Sequence, residues 1–178
     1  MSAQKNILAI VGSASSNSSN HQLLNYIKQQ TQNDFNLTVF NSLANLPHFN
    51  TELSIENTPQ VVLDFRTAIQ NADGILICTP EYVFSIPAGL KNAIEWCVST
   101  TVFAHKPTAL ITASASGVKA HEELQLIMQT IEANFTNDTT LLIQGIKSKI
   151  NTEGNITHPQ TKTDLAKFIT AYKKLIHK

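Results

Sequence analysis

Short, mostly apolar runs alternate along this chain with longer amphipathic stretches, and that rhythm permits few folds. The runs lie at 7–11, 37–40, 75–78, 108–112 and 139–143. Each is too short for a helix, and none shows the in-out alternation of a half-exposed strand. They read as strands buried on both faces. Helical spacing fills the intervals. Leu23, Leu24 and Ile27 share one face, with Asn20 or Ser19 as the capping residue. Thr58 and Pro59 open a second helix as cap and first-turn proline, with apolar positions at 61, 62, 65, 68 and 69. Ser85 and Pro87 mark a third start, with Leu90, Ala93, Ile94, Cys97 and Val98 on the inner face. Leu124, Ile127, Met128 and Ile131 trace a fourth helix. Leu165, Phe168, Ile169, Tyr172, Leu175 and Ile176 trace a fifth.

Strands that alternate with helices predict a parallel sheet covered by helices on both faces. Five strands predict the flavodoxin-like α/β three-layer sandwich, with strand order 2-1-3-4-5. No linker or repeat interrupts the 178 residues, so one domain over 1–178 is expected. In such sheets ligands bind beyond the carboxyl ends of the strands. The segments after Val11, Cys78 and Thr112 are therefore expected to meet at a site.

Charge narrows the ligand. Thirteen basic side chains balance thirteen acidic ones, and only one of the basics is an arginine, Arg66. A nucleic-acid partner needs a clustered basic surface, and a flavodoxin-type electron carrier needs an acidic one; neither is present. A bound phosphate would have to be held without an arginine fork. Cys78 and Cys97 lie in apolar stretches, form no CxxC, and read as buried small hydrophobes. The N-terminal residues lead into only five apolar positions, too few for a secretory signal. A cytoplasmic protein is expected, with no membrane or nucleic-acid partner. The six histidines are scattered and form no metal-ligand spacing.

Residues 12–20 are all Gly, Ser, Ala or Asn. A loop of this kind between a buried strand and its helix ends at a helix N-terminus, where free N–H groups and the dipole favour an anion. The frame is neither a P-loop nor a dinucleotide Gly-x-Gly-x-x-Gly. After the third strand, Tyr82, Val83, Phe84 and Ile86 place apolar groups in a loop framed by Pro80 and Pro87. A flat aromatic ligand or a subunit interface would account for them. After the fourth strand, Ser114, Ala115, Ser116 and Gly117 are small enough for backbone N–H groups to approach a ligand. No nucleophile-elbow frame fits there.

Together these segments resemble the NADPH-dependent FMN reductase family. Ile10-Val11-Gly12-Ser13 through Ser18-Ser19-Asn20 is similar to its phosphate loop, G-S-x-R-x-x-S-x-N. Thr79-Pro80-Glu81-Tyr82, Ser85-Ile86-Pro87 and Leu90-Lys91-Asn92-Ala93-Ile94-Glu95-Trp96 resemble its T-P-E-Y-N-x-S-x-P-G-x-L-K-N-A-x-D-W. The turn at 151–156 resembles the one before its last helix.

The resemblance implies an FMN-dependent NAD(P)H oxidoreductase acting on a quinone, flavin, azo or similar acceptor, the alternative being a non-catalytic flavin-binding or interaction protein of the same fold. It implies that Ser13, Ser15, Ser18, Ser19 and Asn20 hold the FMN phosphate. Pro80, Glu81, Tyr82 and Val83 would line one edge and face of the isoalloxazine, with Ser114, Ser116 and Gly117 at its other edge. It implies a homodimer or a dimer of dimers, in which Trp96 and Ile94 sit either in the subunit contact or in the core. The departures are Ser15 at the family's Arg, Val83 at its Asn, Ala88 at its Gly, and Lys119-Ala120 where Gly-Gly often stands. Lys119 is then the nearest cation for an NADPH 2′-phosphate, and the choice between NADH and NADPH stays open.

Overall fold

The computed structural model describes residues 4–178 except 16 and 42. Five strands form one sheet: β1 (Lys5–Val11), β2 (Phe35–Phe40), β3 (Gly74–Thr79), β4 (Thr108–Ser114) and β5 (Thr140–Gln144). Five helices connect or follow them: α1 (Ser19–Gln30), α2 (Gln60–Asn71), α3 (Ala88–Glu95), α4 (Val118–Thr130) and α5 (Pro159–Ile176). The sheet order is β2-β1-β3-β4-β5, and every pairing is parallel. This is the predicted flavodoxin-like arrangement.

The period-two pleat divides the core. Ile7, Ala9 and Val11 of β1 face α1 and α5, together with Leu76, Cys78, Ala109, Ile111 and Ala113. Leu8, Ile10, Ile75, Ile77 and Leu110 face α2, α3 and α4. Central strands therefore bury both faces, and their sequences are mostly apolar, with threonines at buried positions 79, 108 and 112. β2 is the exception. At the sheet edge it buries Phe35 and Leu37 and exposes Asn36 and Thr38, so it alternates instead of running apolar throughout.

Register brings the strand ends level. Val11 pairs with Cys78, Thr79 with Thr112, and Ser114 with Gln144. The N–H of Gly12 continues the ladder to the carbonyl of Cys78 at 2.9 Å. A Cβ at Gly12 would lie 2.3 Å from Thr79 Oγ1, so glycine is what lets the first loop leave beside β3.

Three local expectations are corrected. Ser18 caps α1, not Asn20 or Ser19; its Oγ accepts from the N–H of His21. Thr58 does not cap α2: its hydroxyl donates to the carbonyl of Leu53, and Pro59 takes the cap position. Val98 is exposed, because α3 ends at Glu95 and the chain tightens into successive turns that rotate Val98 outward. Trp96 and Ile94 are both buried within the chain. Trp96 meets Phe49 edge to face and donates its indole N–H to the carbonyl of Pro47.

The single arginine is part of this frame. Arg66, buried on α2, donates to the carbonyl of Trp96 just beyond the C-terminal end of α3, to the carbonyl of Ser54 and to the hydroxyl of Ser99. A cation is favoured at a helix C-terminus, and here it also fastens the irregular segment after β2.

Candidate functional site

The loops that follow β1, β3, β4 and β5 surround a cavity of about 600 Å³ at the carboxyl edge of the sheet. Ser13, Ser15, Ser18, Ser19 and Asn20 form one wall, and Pro80, Tyr82, Ala113, Ser114 and Ala115 another. A third wall, residues 145–148, was not foreseen from the sequence. Ser13, Ser15 and Tyr82 also border a second cavity of about 660 Å³, which Phe40, Leu43, Pro87 and Leu90 make largely apolar.

The first wall is built from neutral groups around the N-terminus of α1. At the start of α1 the N–H of Gln22 reaches the carbonyl of Ser18, and the N–H of His21 is capped by Ser18 Oγ. The N–H groups of Ser19 and Asn20 have no intrahelical acceptor, as first-turn geometry requires. The Asn20 side chain is committed to the frame. Its Nδ2 donates to the carbonyl of Ala113 at 3.1 Å, and its Oδ1 accepts from the Cys78 thiol at 3.2 Å. This buried side chain fastens the first loop to β3 and β4. Desolvation pushes the Cys78 thiol up, so it stays protonated as the donor.

The second loop turns sharply. Tyr82 and Ser85 exchange backbone hydrogen bonds of 2.9 and 3.1 Å, and Val83 and Phe84 between them have φ of 52° and 59°. Two successive left-handed residues make a mirror-image tight turn that suits Asn or Gly and strains a β-branched side chain. The family's motif carries Asn where this chain has Val83. The turn leaves Val83 96% and Phe84 77% exposed.

Two carboxylates lock this loop to α4. Glu81 accepts from the N–H of Gly117 at 3.1 Å and of Ala120 at 3.0 Å, so it caps the helix. In return Glu123 of α4 accepts from the Ser85 hydroxyl at 2.7 Å and the N–H of Ile86 at 2.9 Å. The N–H of Ala120 above all, with those of Gly117 and Lys119, holds the Glu81 carboxyl below the usual carboxylate range.

Of the residues expected at the site, Ser13, Ser15, Ser18, Ser19, Asn20, Pro80, Tyr82 and Ser114 share the first cavity. Glu81, Val83, Ser116 and Gly117 are not on its wall. Glu81 faces α4, Val83 faces solvent, Ser116 is exposed, and Gly117, at φ 85°, is buried under the start of α4. Lys119 also lies off the wall and pairs with Glu122 at 2.8 Å. Among the described residues, no group of His, Cys, Asp and Glu is arranged to hold a metal.

Residues 5–147 match the family described as NADPH-dependent FMN reductase. The chain belongs to the NADPH-dependent FMN reductase family. It is 30% identical over 172 residues to a 2-hydroxy-1,4-benzoquinone reductase of a Burkholderia species, covering 93% of each chain. It is 26% identical to a quinone reductase of Escherichia coli strain K12, covering 100% of this chain and 98% of that one. In fold it is similar to FerB, a flavoenzyme NAD(P)H:(acceptor) oxidoreductase from Paracoccus denitrificans. The TM-score is 0.83 at 24% identity, with 97% of each chain covered.

The Glu81 cap has a pH signature. Its folded-state pKa lies below the ordinary 4.5, so its stabilisation is complete above that value and is lost as pH falls through the folded one. Glu81→Gln is expected to cost about 1 kcal/mol at neutral pH. In urea titrations run over a pH series, the gap between variant and wild type should close below 4.5. A gap of constant size down to strong acid would contradict the assignment.

Proposed function

We propose that residues 1–178 act as one FMN-binding domain, with the flavin nucleotide in the cavity bounded by the first, second and third loops. The support is the fit of that cavity to the family's cofactor. Its volume lies in the range of cofactor sites. It runs from the N–H groups of Ser19 and Asn20, suited to a phosphate, to the Pro80, Tyr82 and Ser114 walls, suited to a flat ring. The chemistry FMN supplies when bound is hydride acceptance from NADH or NADPH and delivery to an oxidised acceptor.

The protein's own part is positional. Ser13, Ser15, Ser18 and Ser19 offer hydroxyl and backbone donors to the phosphate without arginine. Tyr82 divides the two cavities and forms one wall of each. Glu81 and Glu123 keep the second and third loops at a fixed separation, so the ring edge meets backbone donors that do not reorganise during turnover. Glu81, Ser116 and Gly117 thus act through the shape of the loops. The acceptor is a small flat oxidant such as a quinone, a free flavin or an azo compound.

We further propose that the enzyme is a homodimer and works in the cytoplasm. Val83 and Phe84 support the first reading: a strained turn presents both apolar side chains to solvent, which a second subunit would cover. The free cysteines Cys78 and Cys97 support the second. Among the described residues no helix is long and apolar enough to cross a membrane.

Purified protein should be yellow, release one FMN per chain on denaturation, and lose its flavin absorbance anaerobically when NADH or NADPH is added. Flavin that stays oxidised with both reductants would leave only a flavin-binding protein and contradict the enzyme. In sedimentation velocity the wild type should run as a dimer and Val83→Asp should shift toward monomer. A wild-type monomer at micromolar concentration would overturn the dimer.

A further inference from the structure

We propose that Lys147 supplies the positive charge opposite the flavin phosphate, in place of the arginine that the family carries at Ser15. This rests on the reading of the first cavity as the FMN site. Lys147 is the one charged side chain among the described residues that line that cavity. Every other lining residue is neutral, so a dianionic phosphate there has no second counter-charge within the chain's own wall.

The backbone under Lys147 is fixed in place. Gly145 takes the left-handed conformation at φ 62°, and its N–H reaches the carbonyl of Ala115 at 3.1 Å. The N–H of Ser148 and its hydroxyl then return to the carbonyl of Gly145 at 3.0 and 2.9 Å. Ile146 drops into the core at 3% exposure and pins the turn. The adjoining Lys147 is thereby held on the cavity rim with its side chain exposed. The chain then crosses toward α1: a Cβ built on Gly154 would lie 3.9 Å from the Cβ of Gln22 in that helix. Residues 145–148 thus line the same cavity as the N-terminus of α1, and the chain beyond them packs against that helix.

Lys147 forms no ion pair with the carboxylates of the described residues. Lys119, which the sequence offered only for an NADPH 2′-phosphate, does not line this cavity and pairs with Glu122. A lysine acts on phosphate as a movable point charge, which suits an exposed rim position better than a fork would.

The test compares two flavins that differ only in the phosphate. Apoprotein of the wild type, Lys147→Met and Lys147→Arg is titrated with FMN and with riboflavin, following flavin fluorescence at low salt. Lys147→Met should weaken FMN about fivefold, the size of one exposed charge contact, and leave riboflavin unchanged. Lys147→Arg should restore FMN affinity, and the salt dependence of FMN binding should be smaller in Lys147→Met than in the wild type. Equal effects on both flavins, or none on either, overturn the proposal while the cavity reading stands. So does a Lys147→Met protein that binds FMN normally and loses only its discrimination of NADPH from NADH. A wild-type apoprotein that takes up neither flavin overturns the cavity reading as well.

Discussion

The site depends first on the double carboxylate tie between the second loop and α4. Glu81 reaches from the loop to the free N–H groups at the start of α4, and Glu123 reaches from α4 back to Ser85 and Ile86. Charge-assisted bonds to backbone N–H groups are among the stronger contacts available at a surface, and here they run in both directions. They make two loops from adjacent strands into one edge. The strained turn at Val83 and Phe84 persists because its two ends are fixed from outside: Glu123 holds Ser85, and Pro80 and Pro87 stiffen the flanks.

The scarcity of arginine runs through the rest of the molecule. The one guanidinium is buried beneath α3, organises carbonyls and lines neither of the two cavities at the carboxyl edge of the sheet. The cavity wall around the start of α1 is correspondingly built from hydroxyls and helix-end N–H groups, with one exposed lysine on the rim. Attraction of this kind is shallow and salt-sensitive compared with a bidentate fork, and it depends on the backbone being fixed. Asn20 provides that fixing, since its buried amide ties the first loop to β3 and β4 at once.

Much of this was legible in the residues. Runs such as 75–78 declare a strand covered on both faces, and the 3.6-residue spacing of α5 declares the face it buries. The edge strand β2 was harder, because half of its positions meet water. The first loop was legible as a composition, but which residue caps α1 was not: Ser18, Ser19 and Asn20 are all good caps, and only the burial of Asn20 beneath β4 decides for Ser18. Glu81 sits inside the most distinctive motif, yet the motif does not say which way a carboxylate points. The third wall at residues 145–148 carries no motif. The rule that ligands gather beyond the carboxyl ends of strands applies to β5 as well, and following it one strand further would have found Lys147.

The most direct measurement is a crystal structure with FMN bound. The phosphate should lie against the N–H groups of Ser19 and Asn20, and the ring between Pro80, Tyr82 and Ser114. The Glu81 carboxylate should remain on Gly117 and Ala120. A Glu81 turned away from α4 to face the flavin ring would contradict the account, because the carboxylate would then belong to the cofactor wall and not to the frame that holds it.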